Sequence, residues 1–478
     1  MAQNSRAPFY EVTVNPDGLQ ILPGAPADVL YLMAPAKQGG GVIDANGAGQ
    51  VKLITTRAQL EAEYGSAASG SLMSFYAGLV YDYSSTVIKT CRVVNDDYAQ
   101  ASVELLNNDI YPLAVLTLKS KQYSDFANNI YADVEAGSET GVLVTIYDGT
   151  STEEFDNLTD VESVATAINS ATIGSKLVYA EFETGSEDAI LAHVVGAQLT
   201  GGNSGDTDVL TTAYVAALAK AEQHKDVTLV AAPGIEDATF HNAIKVHCEL
   251  MSSKKNKAYR IGFVGCGLSL DLETRLQLTE TLGSERLCYL TQGGYLINPV
   301  DASKTLYPAS ILIMCLIGRI MSKTFYIPVI YSALSNVMDI EFRWDSDTQD
   351  LVHQENMVSL DIQGGNVIVV DCITTSDVSA YEDIHLMRIY DQVSRDIGNT
   401  LRLSIGRPNS DATFTWSKGL ATRSLTTLKN VGAIAAFNIL NETTADDKLL
   451  KNFRIKVEIE PILPIKYAYG QIDLLPPS

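Results

Sequence analysis

The sequence predicts a multidomain protein of mixed α/β and α+β class: an α/β middle domain, a β-rich insertion domain and an α+β C-terminal domain with strand-exchanging terminal arms. Three observations support this class. Strand and helix signals alternate between 211 and 290, an acidic strand-rich stretch interrupts the chain from 112 to 199, and both ends carry short alternating runs beside prolines. A chain of 478 residues has room for about three domains of ~150 residues each, and its 46% apolar content is enough to bury their cores.

The first element is the alternating run Phe9-Tyr10-Glu11-Val12-Thr13-Val14, set between Pro8 and the turn signal Asn15-Pro16-Asp17-Gly18. A lone strand cannot pair its own backbone groups. Residues 1–22 are therefore expected to form an N-terminal arm that docks through Phe9, Tyr10, Val12 and Val14 on a sheet of its own chain or of a neighbour. Residues 23–111 and 200–355 form the expected α/β middle domain. Between them, 112–199 reads as a compact inserted unit with strands in GVLVTIYDG and LVYAEFETG and one helix at 161–170. It closes at the turn-rich Leu199-Thr200-Gly201-Gly202-Asn203-Ser204-Gly205.

After that boundary the pattern predicts helix 211–222, strand 227–231, helix 237–252, strand 260–264, helix 270–282 and strand 286–290. Such alternation implies a βαβ layer structure. The apolar stretch Leu306–Met321 is interrupted by Pro308 and Arg319, so it reads as a buried helix and not as a bilayer span.

The C-terminal domain is expected over 356–460. Helix 382–402 places Ile384, Met387, Tyr390, Val393, Ile397 and Leu401 on one stripe. Opposite it run Arg388, Arg395 and Arg402, spaced by seven, with Asp391 placed to pair with the first two. A second helix at 416–435 is expected to bury Trp416, Leu420, Leu428, Val431 and Ile434 and to expose Lys418, Thr422, Thr426 and Lys429. A strand follows at 452–460. Beyond Pro461 and Pro464 the alternation resumes through Ile465, Tyr467, Tyr469, Ile472 and Leu474, so 461–478 is read as a second arm.

Composition narrows the function. The balance of 34 Lys+Arg against 57 Asp+Glu gives −23, which disfavours nucleic acid and anionic lipid as direct partners. The first thirty residues hold no apolar secretion segment, so folding in the cytosol is expected. Cys91, Cys248, Cys266, Cys288, Cys315 and Cys372 show no metal-like spacing and are expected as packed thiols, with bridges as the alternative.

The motifs that usually mark catalysis fail one by one. Gly265-Cys266-Gly267 follows an expected strand but has Leu270 where a dinucleotide loop needs its third glycine, and Gly201–Gly205 lacks the Lys-Ser/Thr ending of a phosphate loop. His241 and His247, six apart on one helix, point to different faces, and no zinc motif or GxSxG elbow is present. No catalytic residue, metal or cofactor is expected. An α/β enzyme with a decorating domain and an adhesive surface protein remain as alternatives of other classes.

Several segments resemble the contractile bacteriophage tail sheath family. They are LTGGNSGD at 199–206, YVAAL at 214–218, DVTLVAAPG at 226–234 with His247-Cys248 after it, VIVVDCITT at 367–375, IHLMRIYDQVSRDIGNTLR at 384–402 and Arg407-Pro408-Asn409. SKQYSDFANNIYADV at 120–134 is similar to the opening of that family's outward-facing insertion, although its usual glycine is missing. The resemblance implies a structural subunit that polymerises helically, in stacked hexameric rings, around a tail tube. It implies contraction that drives the tube through a bacterial envelope, terminal arms exchanged between neighbours, and a small C-terminal sheet completed by their strands. Implied partners are other copies of the chain, the tail tube protein, and baseplate and tail terminator proteins, in a virion tail assembled in the host cytoplasm. Arg388, Arg395, Arg402, Lys418 and Lys429 are the candidates to face the tube. The sheath of a phage-like bacteriocin or secretion apparatus is the nearest alternative.

Overall fold

The computed structural model describes residues 28–466. The expected strands of the N-terminal arm, with Phe9, Tyr10, Val12 and Val14, and most of the C-terminal arm, with Tyr467, Tyr469, Ile472 and Leu474, lie outside the described residues.

The body is organised around a six-stranded sheet in the order Leu287–Leu290, Ile261–Gly265, Leu229–Ala231, Val29–Ala34, Val87–Val93, Ala48–Ile54. The first five strands are parallel and the last is antiparallel to its neighbour. Val29–Ala34, sequence VLYLMA, is buried throughout, as a strand covered on both faces must be. The covering helices leave their mark on two glycines of one strand. A Cβ on Gly262 would lie 2.4 Å from Ile244 in helix Ala238–Ser252, and one on Gly265 would lie 2.5 Å from the backbone of Ala309 in helix Ala309–Met321. Residues three apart on a strand point to opposite faces, so each face accepts a helix only because a side chain is missing there.

The alternation from 211 to 290 is realised by helix Thr211–Lys220, strand Leu229–Ala231, helix Ala238–Ser252, strand Ile261–Gly265, a short helix Leu272–Gln277 and strand Leu287–Leu290. The helix expected to run to 282 stops at Gln277. Beyond it Leu278, Thr279 and Glu280 donate to carbonyls three residues back, a tighter turn that ends an α-helix. The apolar stretch ending at Met321 forms helix Ala309–Met321, buried at Ala309, Ser310 and from Leu312 to Gly318. Among the described residues no helix is long and apolar enough to cross a membrane. All six cysteines are buried free thiols.

A separate core belongs to the inserted unit. It consists of a three-stranded sheet of Gln100–Leu106, Ala114–Tyr123 and Val178–Phe182, a four-stranded sheet of Val194–Gln198, Tyr131–Ala136, Val142–Tyr147 and Thr152–Leu158, and helix Val161–Ile168. This core takes in Ala101 and Leu105, so it starts about ten residues before the expected boundary at 112. Gln100–Leu106 alternates apolar and polar residues like any half-buried strand, and pairing with Ala114–Tyr123 is what assigns it to the unit.

The joint between the two cores is built on Arg92. This side chain is fully buried, and its guanidinium donates to Gly39 O at 2.8 Å, Tyr123 O at 2.8 Å and Ser204 O at 2.6 Å. Those carbonyls belong to the body, to the end of strand Ala114–Tyr123 inside the inserted unit, and to the chain passage that leaves the unit. Burial pushes the Arg92 guanidinium down to about 10. Around it, Lys37 bridges Asp125 at 3.2 Å and Asp206 at 2.9 Å. Asn128 exchanges two hydrogen bonds with Gly202, and Asp125 exchanges two with Ser204.

Replacing Arg92 with Met strands three buried carbonyls, each costing about 1–3 kcal/mol. The expected outcome in urea unfolding followed by circular dichroism is a loss of about 3 kcal/mol or more. Arg57→Met, which breaks the half-exposed pair with Asp82, is expected to cost under about 1 kcal/mol.

Candidate assembly surface

The C-terminal region packs onto the body, and its apolar residues join the same core as the six-stranded sheet. It is built on helices Ile384–Ser404 and Asp411–Asn430 and the hairpin of Ile434–Asn441 with Ile455–Pro461. The first helix buries Ile384, Met387, Tyr390, Val393 and Ile397 as the periodicity predicts.

Its polar face departs from expectation. His385, Arg388, Asp391, Gln392 and Ser394 are buried too. Arg388 pairs with Asp28 and donates to Lys323 O at 3.3 Å, and Arg395 donates to Tyr259 O at 2.7 Å. Asp391 pairs with Arg286, beside the sheet, and not with the arginines of its own helix. Arg388, Asp391, Gln392 and Arg395 line a small cavity with Asp28 and Thr228. Arg388 and Arg395 therefore cannot be a ridge facing a partner, because carboxylates and carbonyls of the body take up their donors. Burial lowers the Arg395 guanidinium from its ordinary value. Burial alone would lower that of Arg286 as well, but the adjacent Asp391 carboxylate holds it above.

The second helix runs from Asp411 to Asn430, not from 416 to 435. The Ser410 side chain accepts from Thr413 N and caps its start, and Gly432 with φ +78° ends it. Its buried stripe is Thr413, Ser417, Ala421, Leu425 and Leu428. Trp416 and Leu420 are half-buried, Val431 is exposed, and Ile434 opens the hairpin. The Arg407 guanidinium lies 3.5 Å from the centre of the Trp416 ring. Arg402, Lys418 and Lys429 are exposed. Lys418 and Lys429 are eleven residues apart, about three turns, and share a face.

The hairpin pairs Phe437 with Ile459, Ile439 with Val457 and Asn441 with Ile455. Ile439, Val457 and Ile459 are buried, while Asn438, Leu440 and Glu460 are not. It forms a sheet of two strands, so among the described residues each strand has one edge without a partner strand. An exposed edge is a template for another strand.

The C-terminal segment leaves this hairpin through Pro461. Ile465, expected in the arm, is 83% exposed. Lys466 lies among Asp371 at 2.8 Å, Asp383 at 2.9 Å and Glu382 at 3.0 Å. His353 Nε2 is 3.4 Å from Glu382. The hydrogen bond from His353, with help from Lys466, holds the Glu382 carboxyl down at about 2. Sequence reasoning did not single out this cluster, since Lys466 is far in the chain from the carboxylates it meets and each member is an ordinary surface residue type.

The crest of the parallel sheet, where folds of this kind place ligands, is packed by protein. Met73 N of helix Leu72–Tyr81 donates to Pro35 O at 2.8 Å, and a Cβ on Gly234 would lie 3.1 Å from the Tyr76 hydroxyl. Glu236 fills the space beside Gly267 and accepts from Ser310 at 3.2 Å.

A layered α/β body with an inserted β unit and an open-edged C-terminal hairpin is the class of fold that these elements define. In particular, the chain has the fold of the tail sheath proteins. A sheath tail protein from Listeria innocua superposes with a TM-score of 0.67 at 14% identity, over 92% of this chain and 93% of that one. One from Desulfitobacterium hafniense gives 0.65 at 13% identity, over 96% and 97%. The helical sheath of the anti-feeding prophage in its contracted state gives 0.56 at 13% identity, over 99% of both chains. No family model and no curated protein matches the sequence.

Asp396, on the first long helix, lies against Ser424 of the second, and burial pushes its carboxyl up to about 7. The ordinary value is 3.8, so the unfolded chain loses this proton before the folded one does. The stability it contributes is full below about pH 4 and is lost as pH rises through about 7. The expected result in thermal melts is that Asp396→Asn raises the midpoint at pH 8 and leaves it nearly unchanged at pH 4.

Proposed function

We propose that the chain is the structural subunit of a contractile tail sheath, which polymerises helically around a tail tube and contracts to drive that tube through a bacterial envelope. The observation that carries this reading is the likeness to sheath proteins over nearly the whole of both chains. The open-edged hairpin and the alternating runs at 9–14 and 465–474 supply its physical basis. A strand given to a neighbour's sheet adds main-chain hydrogen bonds, and a head-to-tail connection that does not close propagates as a helix.

In this reading other copies of the chain are the main partners, the inserted unit faces outward, and the C-terminal region faces the tube. The tube-facing candidates are Arg402, Lys418 and Lys429, an exposed basic group on a chain of charge −23. Exposed ion pairs worth ~0–1 kcal/mol each suit a contact that must break when the sheath contracts. Baseplate and terminator proteins are the expected partners at the two ends. The match to the anti-feeding prophage sheath favours a second reading, a phage-like injection device in place of an infectious virion, with the same role for the chain.

Negative-stain microscopy of the concentrated chain is expected to show striated tubes or short hollow cylinders. Dispersed globular particles would overturn the reading. The double variant Lys418→Glu/Lys429→Glu is expected to polymerise by itself yet to lose most of its co-assembly with tail tubes, scored by sedimentation at low salt.

A further inference from the structure

Three carboxylates converge beside the start of helix Ile384–Ser404, and the arrangement costs the helix part of its own cap. Asp383 is the N-cap residue but makes no side-chain capping bond, although aspartate there normally accepts from the first turn. Its Oδ1 instead meets Lys466 Nζ at 2.9 Å. Asp371 reaches the same ammonium from the segment after strand Asn366–Val369, and Glu382 reaches it from the residue before the cap. Asp371 is held in place by Cys372 N, which donates to its Oδ1 at 2.7 Å. His353, from the end of helix Ser346–Gln354, braces Glu382.

Side chains of Asp371 and Asp383 are 10% and 9% exposed. Like charges so close and so poorly hydrated demand a cation between them. Burial holds Asp383 above the ordinary carboxyl value even with Lys466 present. The cation supplied is the one charged side chain of the described C-terminal segment beyond Pro461.

We propose that this cage is the anchor of the C-terminal arm: Lys466 pins the arm to its own subunit, so the pivot for strand exchange lies just beyond residue 466. The anchor stands on the geometry alone, and its part in exchange rests on the sheath reading. Pinned there, the alternating residues 467–475 span about 30 Å when extended.

The test is competitive acylation of lysine amines in the full-length soluble chain with an N-hydroxysuccinimide ester, read by peptide mass spectrometry, with exposed Lys451 as internal reference. Only the free amine reacts. Burial would lower the Lys466 ammonium, but Asp371 and Asp383 hold it well above its ordinary value. The fraction of free amine falls with every such rise in proton affinity, so Lys466 is expected to label at least about tenfold more slowly than Lys451. Asp371→Asn with Glu382→Gln keeps the lysine and removes two of its three charges, and is expected to raise the Lys466 rate about tenfold without changing that of Lys451. Glu382→Gln alone, which spares the contact to Cys372 N, is expected to give a smaller rise in the same direction. Labelling of Lys466 as fast as Lys451 in the unaltered chain, or a rate indifferent to both variants, overturns the anchor. Tubes formed by a chain with a reactive Lys466 would end this proposal and leave the sheath reading standing. A protected Lys466 in a chain that never forms tubes would do the reverse.

Discussion

Arg92 occupies a place where a positive charge is cut off from water, and the chain solves the problem by bringing three backbone carbonyls to it. Those carbonyls come from three separate passages of chain. A guanidinium offers five N–H groups in a fixed fork, so it can bind all of them at once and fix their relative positions. Gly40 makes room, since a Cβ there would lie 2.8 Å from Cβ of Arg92. The Lys37, Asp125, Asp206 and Asn128 contacts form a shell around this point. The attachment of one hydrophobic core to the other thus runs through polar groups, and Arg92 toward Tyr123 O and Lys37 toward Asp125 reach across to the insertion.

A similar logic holds the C-terminal helices to the body. Arg286 with Asp391, and Arg388 with Asp28, are pairs buried between the long helix and the sheet. Buried pairs add little net stability over apolar contacts, yet losing one partner is costly. Such a seam therefore restricts the helix to one position more than it strengthens the attachment. The apolar core runs through this contact without interruption, so the C-terminal region and the sheet form one packed unit.

Much of this was legible in the residues. The strands and helices from 211 to 290 follow directly from hydrophobic patterning, because buried parallel strands are short apolar runs and their helices are amphipathic. The polar ridge of the long helix was misread for a physical reason. Sevenfold spacing says that Arg388, Arg395 and Arg402 lie along one line, but not whether water or protein faces that line, and here protein covers the first two. The second helix slipped by five residues because the stripe through Val431 and Ile434 matched a helical period, while Ser410 and Gly432, which set its ends, carry a signal of capping and not of burial. The Lys466 cage is invisible in sequence, since its carboxylates meet only after folding.

The two passages joining the inserted unit to the body run side by side, with bridges between Ala99 and Asn203 and between Ser102 and Thr200. A domain tethered by two adjacent strands leaves its host's topology untouched, so it behaves as a cassette. Evolution can enlarge, shrink or swap such a cassette without rewriting the scaffold beneath, and an engineer can use the same doorway to mount a foreign fold.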